Sequence, residues 1–378
     1  MVYVIGAGVL KVEDHWNKSL RNLAAEASIS AMNDAGGVPI DYVVVSNTLS
    51  GVINGQENLG SYVVSHSGLV GVPAVKVEAA NASGAAALIF ASSLIKSGEA
   101  QRVLVIGVEK MSDYTSLEDL NMAISTLIDS EYEHFHGATL DSMHAMVMRE
   151  YMRRYGIDRK DFAYFPIIMH EHATDTPHAQ YRFKIDIDSY ISSPLIAEPL
   201  SMMDVPSPAD GAAAVVLSSK NEGPNGNVRI LSFGHSTDRV SLYNRKSIVE
   251  MPSIRASLNR ALSKLSSFKP DFYSISEYSS VLGYIAVEEL GLAERGKAYK
   301  LFMDKETRRD GPIPVNPEGG SKARGDPVGA TAVYQMAEAY LQLTGRARGW
   351  QVSGASRALL LSIGGLGSNS IVHLVEGV

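Results

Sequence analysis

Val77-Glu-Ala-Ala-Asn-Ala-Ser-Gly-Ala-Ala-Ala87 decides how the rest of the chain is read. The short run Ala74–Val77 has β character, and an apolar helical pattern follows the small residues from Ala85 to Ile95. A strand that turns sharply into a buried helix is a mount for a reactive side chain. The helix start supplies unpaired N–H groups and a partial positive charge, and small residues let backbone and ligand approach closely. The residue at the turn is Asn81. Its carboxamide reads either as the helix N-cap, accepting an N–H two or three residues on, or as a donor to a bound carbonyl.

Outward from this stretch, strand-like and helix-like segments alternate. Residues 2–9 read as a strand and 15–34 as an amphipathic helix through Leu20, Leu23, Ala24, Ala27 and Ile29. Asp41–Ser46 is a short buried strand. Arg102–Val108 is a continuous apolar run of the kind found in a sheet covered on both faces. From Ser112 to about Leu200 the texture changes to Met, Tyr, His and charge, an excursion of helices and irregular loop laid over the core. Ser207–Ser218 returns to a turn and a buried strand, and the Gly/Pro/Asn stretch 221–227 is the best internal boundary. The second half repeats the order: strands at Val228–Gly234 and Asp271–Ser276, helices at Ile248–Leu265, Leu282–Leu292 and Ala332–Leu343, then strands Ala358–Ile363 and Ser370–Val375 around Gly364-Gly365-Leu366-Gly367. Alternating strands and helices imply an α/β sheet with crossover connections. Similar order in both halves suggests a duplicated unit, 1–220 and 228–378.

The whole-chain numbers bound the function. A chain of 378 residues with 45% hydrophobic and 20% charged residues has ample material for a core. A net charge of −7 without a basic run argues against nucleic acid as partner. No apolar run reaches membrane-span length, and the opening Met-Val-Tyr-Val-Ile-Gly-Ala-Gly lacks the basic flank of a signal peptide; a cytoplasmic location is expected. The absence of cysteine removes disulfides, thiolate metal sites and every cysteine-nucleophile mechanism. Gly6-Ala-Gly8 is too short for a dinucleotide fingerprint.

Several motifs in order resemble the thiolase superfamily, and most of all its archaeal acetyl-CoA acetyltransferase and sterol-carrier-protein-type members. Val77–Gly84 is similar to the family's nucleophile segment, and Gly107-Val-Glu-Lys-Met-Ser112 to its sequel. Tyr155–Asp161 and Pro199–Ala214 match the loop segment and return strand, and Ala286–Leu292 the helix after the second active-site loop. Asn316–Ser321 with Gly325–Thr331 matches the third loop, and Ser362–Gly367 the closing one. The resemblance implies an α/β thiolase-like fold: two duplicated halves with mixed five-stranded sheets, layered αβαβα. It also implies a CoA thioester as ligand with no other cofactor, and a homo-oligomer, dimer or tetramer. Some archaeal members pair with a small zinc-ribbon/OB-fold protein, so such a partner is a candidate.

The catalytic letters depart from the pattern. Where the family has its cysteine nucleophile, this chain has Asn81. The histidine of Gly-His-Pro becomes Asp326, the His-Asp pair of the second loop aligns with Ser276-Glu277, and the closing loop opens with Ser362. A carboxamide has no useful nucleophilic lone pair, so thiolysis and Claisen condensation are not expected. Asp326 and Glu277 read either as paired carboxylates for acid/base work or as hydrogen-bonded structural groups. Gly364 and Gly365, which serve the family through backbone N–H groups, together with Ser321 and Gly325, are expected to keep the acyl-binding wall. Tyr278 and Tyr284 read as packing residues or as phenolic acids. His170-Glu-His172 with His178, and His134 with His136, lack the three- or four-residue spacing of helical metal pairs and are expected in a mobile polar loop. Two functions follow: an acyl-CoA-binding, non-catalytic subunit, or a thiolase-fold aldolase working by acid/base chemistry through Tyr278, Tyr284, Glu277 and Asp326. Ordinary acyltransferase activity is a weaker third.

Overall fold

The computed structural model describes residues 1–114 and 116–378; one residue of the expected excursion, 115, lies outside them. Among the described residues eleven strands form: β1 Tyr3–Val9, β2 Tyr42–Ser46, β3 Ala74–Val77, β4 Arg102–Glu109, β5 Leu195–Ala197, β6 Leu200–Ser201, β7 Gly211–Ser218, β8 Val228–Thr237, β9 Phe272–Ile275, β10 Arg357–Gly364 and β11 Asn369–Gly377. Nine of them make a single sheet in the order β3-β2-β4-β7-β1-β8-β11-β10-β9.

The duplication is visible in that order. In the first half β3 and β4 run parallel to β2, and β7 turns antiparallel between β4 and β1. In the second, β9 is parallel to β10, and β11 lies antiparallel between β10 and β8. Expectation and structure differ in two ways. The half-sheets are joined edge to edge where Tyr3 meets Arg229 and Val4 meets Val228. The second half has four strands, its fifth reduced to a single bridge from Val315 to Tyr273. Pro312, Pro314 and Pro317 surround that bridge, and proline cannot donate to a ladder.

The helices Ser83–Ser97 and Thr331–Leu343 form the middle layer: each packs on the other and on strands of both halves. They approach closely because Gly84 has no side chain; a Cβ there would stand 2.8 Å from the Val333 nitrogen. The helix Leu20–Asp34 covers β1, β4 and β7, and Pro252–Leu262 covers β8 and β11. The order is therefore helix, half-sheet, helix, half-sheet, helix, the two half-sheets being continuous through β1 and β8. Gly6 and Gly8 lie directly under the backbone of Leu20–Asp34, which accounts for that glycine pair as close packing. β8 alternates buried and partly exposed residues, as a strand with one covered face does, whereas β4 is buried almost throughout. The excursion contains the helices Leu117–Ser125, Leu140–Tyr155, Tyr164–Ala173 and Ile187–Ile191 and the β5–β6 hairpin. With neighbouring elements of the second half it builds a core of its own around Tyr151, Phe162, Phe165 and Tyr284.

Candidate functional site

The turn at 79–83 is held in a strained shape. Ala80 has φ +53°, in the left-handed region that a residue with a Cβ enters at a cost. Ser83 Oγ accepts from the Ala79 N–H (2.7 Å) and donates to the Ala80 carbonyl (2.6 Å), which also accepts from Thr48 Oγ1 (3.0 Å). The helix begins at Ser83 with Ala82 at the cap position and no side-chain cap bond. Asn81 is therefore not the N-cap. The Ser83 hydroxyl binds the turn, and the Asn81 amide points the other way, with Nδ2 3.4 Å from Asp326 Oδ2.

Asp326 is buried at the start of the segment leading into Thr331–Leu343. Burial pushes its carboxyl up, while the Thr331 hydroxyl, the Arg324 charge and the Asn81 amide pull it back without cancelling the rise. Its loop is fixed from below by Glu109, which accepts from Asn47 Nδ2 (2.7 Å) and the N–H groups of Thr48 (3.0 Å), Leu49 (2.9 Å) and Gly329 (3.1 Å). Burial pushes the Glu109 carboxyl up to about 7 against those donors.

Above Asp326 a narrow crevice runs between Met111, Ile124, Leu127, Pro208, Tyr278 and Val328. Across the shared wall of Ile124, Pro206–Pro208 and Tyr278 lies a mainly apolar cleft of about 520 Å³, into which Asp141, Tyr278 and Lys322 bring polar groups. The Tyr278 hydroxyl donates to Asp141 Oδ1 at 3.0 Å. Burial, then the Asp141 and Asp326 charges, hold the phenol well above its ordinary value. Burial also raises Asp141, opposed by the Tyr278 hydroxyl. His144 packs against the Tyr278 ring (4.9 Å between centroids) and bonds Ser279 through Nδ1.

The other expected site residues lie elsewhere. Glu277 does not pair with Asp326. It is fully used inside the Gly-rich loop, accepting from Asn316 Nδ2 (3.0 Å) and the Lys322 N–H (2.9 Å), and burial pushes it up to about 8. Ser276 Oγ accepts from the Ile363 N–H (2.9 Å), and Ser362 donates to Gln335 (2.8 Å); both stitch β9 and β10 to their neighbours. Gly325 abuts Val12, and Ser321 is buried beside Glu277. Gly365 has φ +54°, but a Cβ there would stand 2.7 Å from the Leu127 carbonyl, and Gly364 is equally close to the Ala79 carbonyl. Gly365 is covered by the excursion and Gly364 by the turn at Ala79 and Ala80, so neither is presented as an open wall. Tyr284 donates to the Asp161 carbonyl within the aromatic core and is remote from the crevice.

The histidines correct the expectation of a mobile polar loop. His170 and His172 are buried in the helix Tyr164–Ala173, bonded through Nδ1 to the carbonyls of Phe183 (3.1 Å) and Asn316 (2.9 Å). His178 is buried against Glu338 (2.8 Å). His134 and His136 flank a single exposed turn. Two cleft residues escaped sequence reading, Asp141 and Lys322. Each is one charged letter in an ordinary context, and only the fold turns it inward.

The N-terminal thiolase domain matches residues 2–221, and the thiolase C-terminal domain-like family matches 234–376. The chain belongs to the thiolase family. Among thiolase relatives, it is 37% identical to the acetyl-CoA acetyltransferase of Methanothermobacter thermautotrophicus, covering 99% of this chain and 98% of that one. It is 30% identical to sterol carrier protein 2 of Gallus gallus, over 99% of this chain and 71% of the other. Among solved structures, the thiolase fold here superposes on the Ltp2-ChsH2(DUF35) aldolase with a TM-score of 0.85 at 20% identity, covering 100% and 97%. Human mitochondrial 3-ketoacyl-CoA thiolase gives 0.76 at 17% identity, covering 100% and 99%. Among the described residues, no helix is long and apolar enough to cross a membrane.

Proposed function

We propose that this thiolase-fold chain binds an acyl-CoA in the apolar cleft beside the Asp326 crevice without performing thiolase chemistry, as a non-catalytic subunit of an acyl-CoA enzyme assembly. One observation carries the reading. The side chain at the mouth of the strained turn is an amide hydrogen-bonded to a buried carboxylate, and neither group can act as a thiolate or deprotonate one as an imidazole would. A homo-oligomer, and a small zinc-ribbon/OB-fold partner, belong to the same proposal; the aldolase of similar fold carries DUF35 in its name.

The test uses acetyl-CoA and acetoacetyl-CoA. Free-thiol release and the intact mass of the protein are followed together, and turnover or an acetyl adduct overturns the non-catalytic reading. Calorimetric titration with CoA checks the ligand separately, with no binding heat as the adverse result.

A second reading is favoured by Tyr278 and Asp326 lining one crevice. A retro-aldol cleavage of a 3-hydroxyacyl-CoA needs a base for the hydroxyl proton and a donor to the thioester oxygen as the enolate forms; it needs no nucleophile. Asp326 would take the hydroxyl proton as the Cα–Cβ bond breaks, the Asn81 amide would face the enolate oxygen, and the Tyr278 phenol would protonate the enolate carbon and regain its proton from Asp326. Release of an aldehyde or ketone, lost by roughly 100-fold in Asp326→Asn and Tyr278→Phe, supports this reading; its absence leaves the binding role.

A further inference from the structure

Lys322 is a buried cation held by backbone carbonyls and not by a carboxylate. It sits in the turn Gly320–Arg324 and is almost wholly buried, yet its side chain reaches the wall of the apolar cleft. Nζ donates to two backbone carbonyls, Val205 (2.6 Å) and Met202 (3.1 Å). Among the described residues no carboxylate lies within ion-pair distance of it. The nearby acids are committed to other donors: Asp204 accepts from Tyr190, Ser201 Oγ and the Ser201 N–H, and Glu277 accepts from Asn316 and the Lys322 backbone. Asp141, across the cleft, accepts from Tyr278. An ammonium has three N–H donors, so one is left over beside Met202 and Val205. A buried cation without a counter-ion is costly and becomes favourable when an anion completes it.

We propose that Lys322 is the counter-ion for a carboxylate carried on the apolar body of the ligand that fills this cleft. The apolar body rests on the acyl-ligand reading above; the carboxylate rests on Lys322. The ligand class is then an acyl group bearing a second acid function, its apolar part against Leu120, Ile124 and Met203 and its carboxylate at Lys322. The remaining N–H at Nζ recognises a carboxylate and offers nothing selective to a plain methyl end.

The experiment compares octanoate with octanol and octanamide, equal chains with different heads, by calorimetry on the full chain. Octanoate is expected to bind at least about tenfold more tightly than either, the scale of one charge-assisted hydrogen bond. Lys322→Met is expected to abolish that preference while leaving octanol binding in place. Equal affinities, or a preference that survives in Lys322→Met, overturn the proposal. A readout on the unsubstituted protein guards against misfolding of the variant. The carboxyl carbon of ¹³C-octanoate, titrated by NMR, should stay ionised in the complex to a pH roughly one unit or more below that of the free acid. A bound acid whose pKa rises, as it would in an apolar cleft without a cation, refutes the assignment. Octanoate bound through Lys322 with no binding of acyl-CoA would keep the counter-ion and discard the thioester, and the converse result would do the reverse.

Discussion

Replacing Asp210 with asparagine is the sharpest test of how the site is held. Asp210 opens the turn into β7, and five donors converge on its two oxygens. Oδ1 accepts from the N–H groups of Met111 (2.7 Å) and Ser112 (2.8 Å). Oδ2 accepts from the His15 N–H (2.8 Å), Lys110 Nζ (2.8 Å) and Ser112 Oγ (2.7 Å). An amide keeps one accepting oxygen and turns an NH₂ toward donors that now meet no acceptor. Lys110, only 2% exposed, loses its buried partner and keeps Asp113 at 3.2 Å on the surface. Breaking a buried pair costs about 3–5 kcal/mol, and the surviving Asp113 contact places Asp210→Asn near the lower end. Urea denaturation followed by circular dichroism gives the loss, and amide exchange at Met111 and Ser112 locates it. A loss under about 1 kcal/mol, the scale of one ordinary hydrogen bond, would refute the claim that this carboxylate fastens the loop. The sign with pH follows. Burial opposes ionisation of Asp210, but Lys110 and Ser112 outweigh it and its pKa is lowered. Its contribution is present above the unfolded carboxylate value of about 4 and is lost as pH falls through the folded one, so the variant should show a shallower acid limb.

Three other outcomes are expected. His373, buried in β11, has its pKa lowered to about 3 by burial first and by Lys96 and Lys264; its stabilisation is present above the unfolded value of about 6.5 and lost as pH falls toward the folded one. His373→Leu should therefore bind about one proton fewer on unfolding in mild acid, measured as a reduced slope of unfolding free energy against pH. Ala80→Gly should relieve the left-handed strain and come out neutral or up to about 1 kcal/mol stabilising by chemical denaturation, the reverse of the usual cost of glycine. Gly365→Ala should destabilise by about 1–3 kcal/mol, because its Cβ must displace the Leu127 carbonyl; an unchanged denaturation midpoint would show that the excursion does not rest on this loop.

The sequence exposed the framework because the framework is local. Continuous apolar runs became β4 and β7, periodic ones became the middle helices, and the Asn/Gly/Pro stretch at 221–227 separates β7 from β8. What the letters could not carry was long-range side-chain choice. Whether Asn81 caps its own helix depends on Ser83 taking that turn first and on a carboxylate arriving from residue 326. Glu277 and Asp326 sit in comparable loop motifs, yet one is enclosed by Asn316 and Lys322 while the other faces a crevice. His170 and His172 looked polar and loose, and became helical and buried because backbone carbonyls from other segments accept from their rings.

The nine-stranded sheet has a weak stitch in its middle. β8 meets β1 through two residue pairs and β11 through nine. Through most of its length, then, β8 depends on β11. A chain still missing β11 would present two unpaired borders, one on β8 and one on β10, in the centre of the molecule rather than at its rim. Such borders are templates for pairing with other chains. Loss of β11, by arrest of synthesis or a nick shortly before residue 369, should yield a sticky, self-associating species.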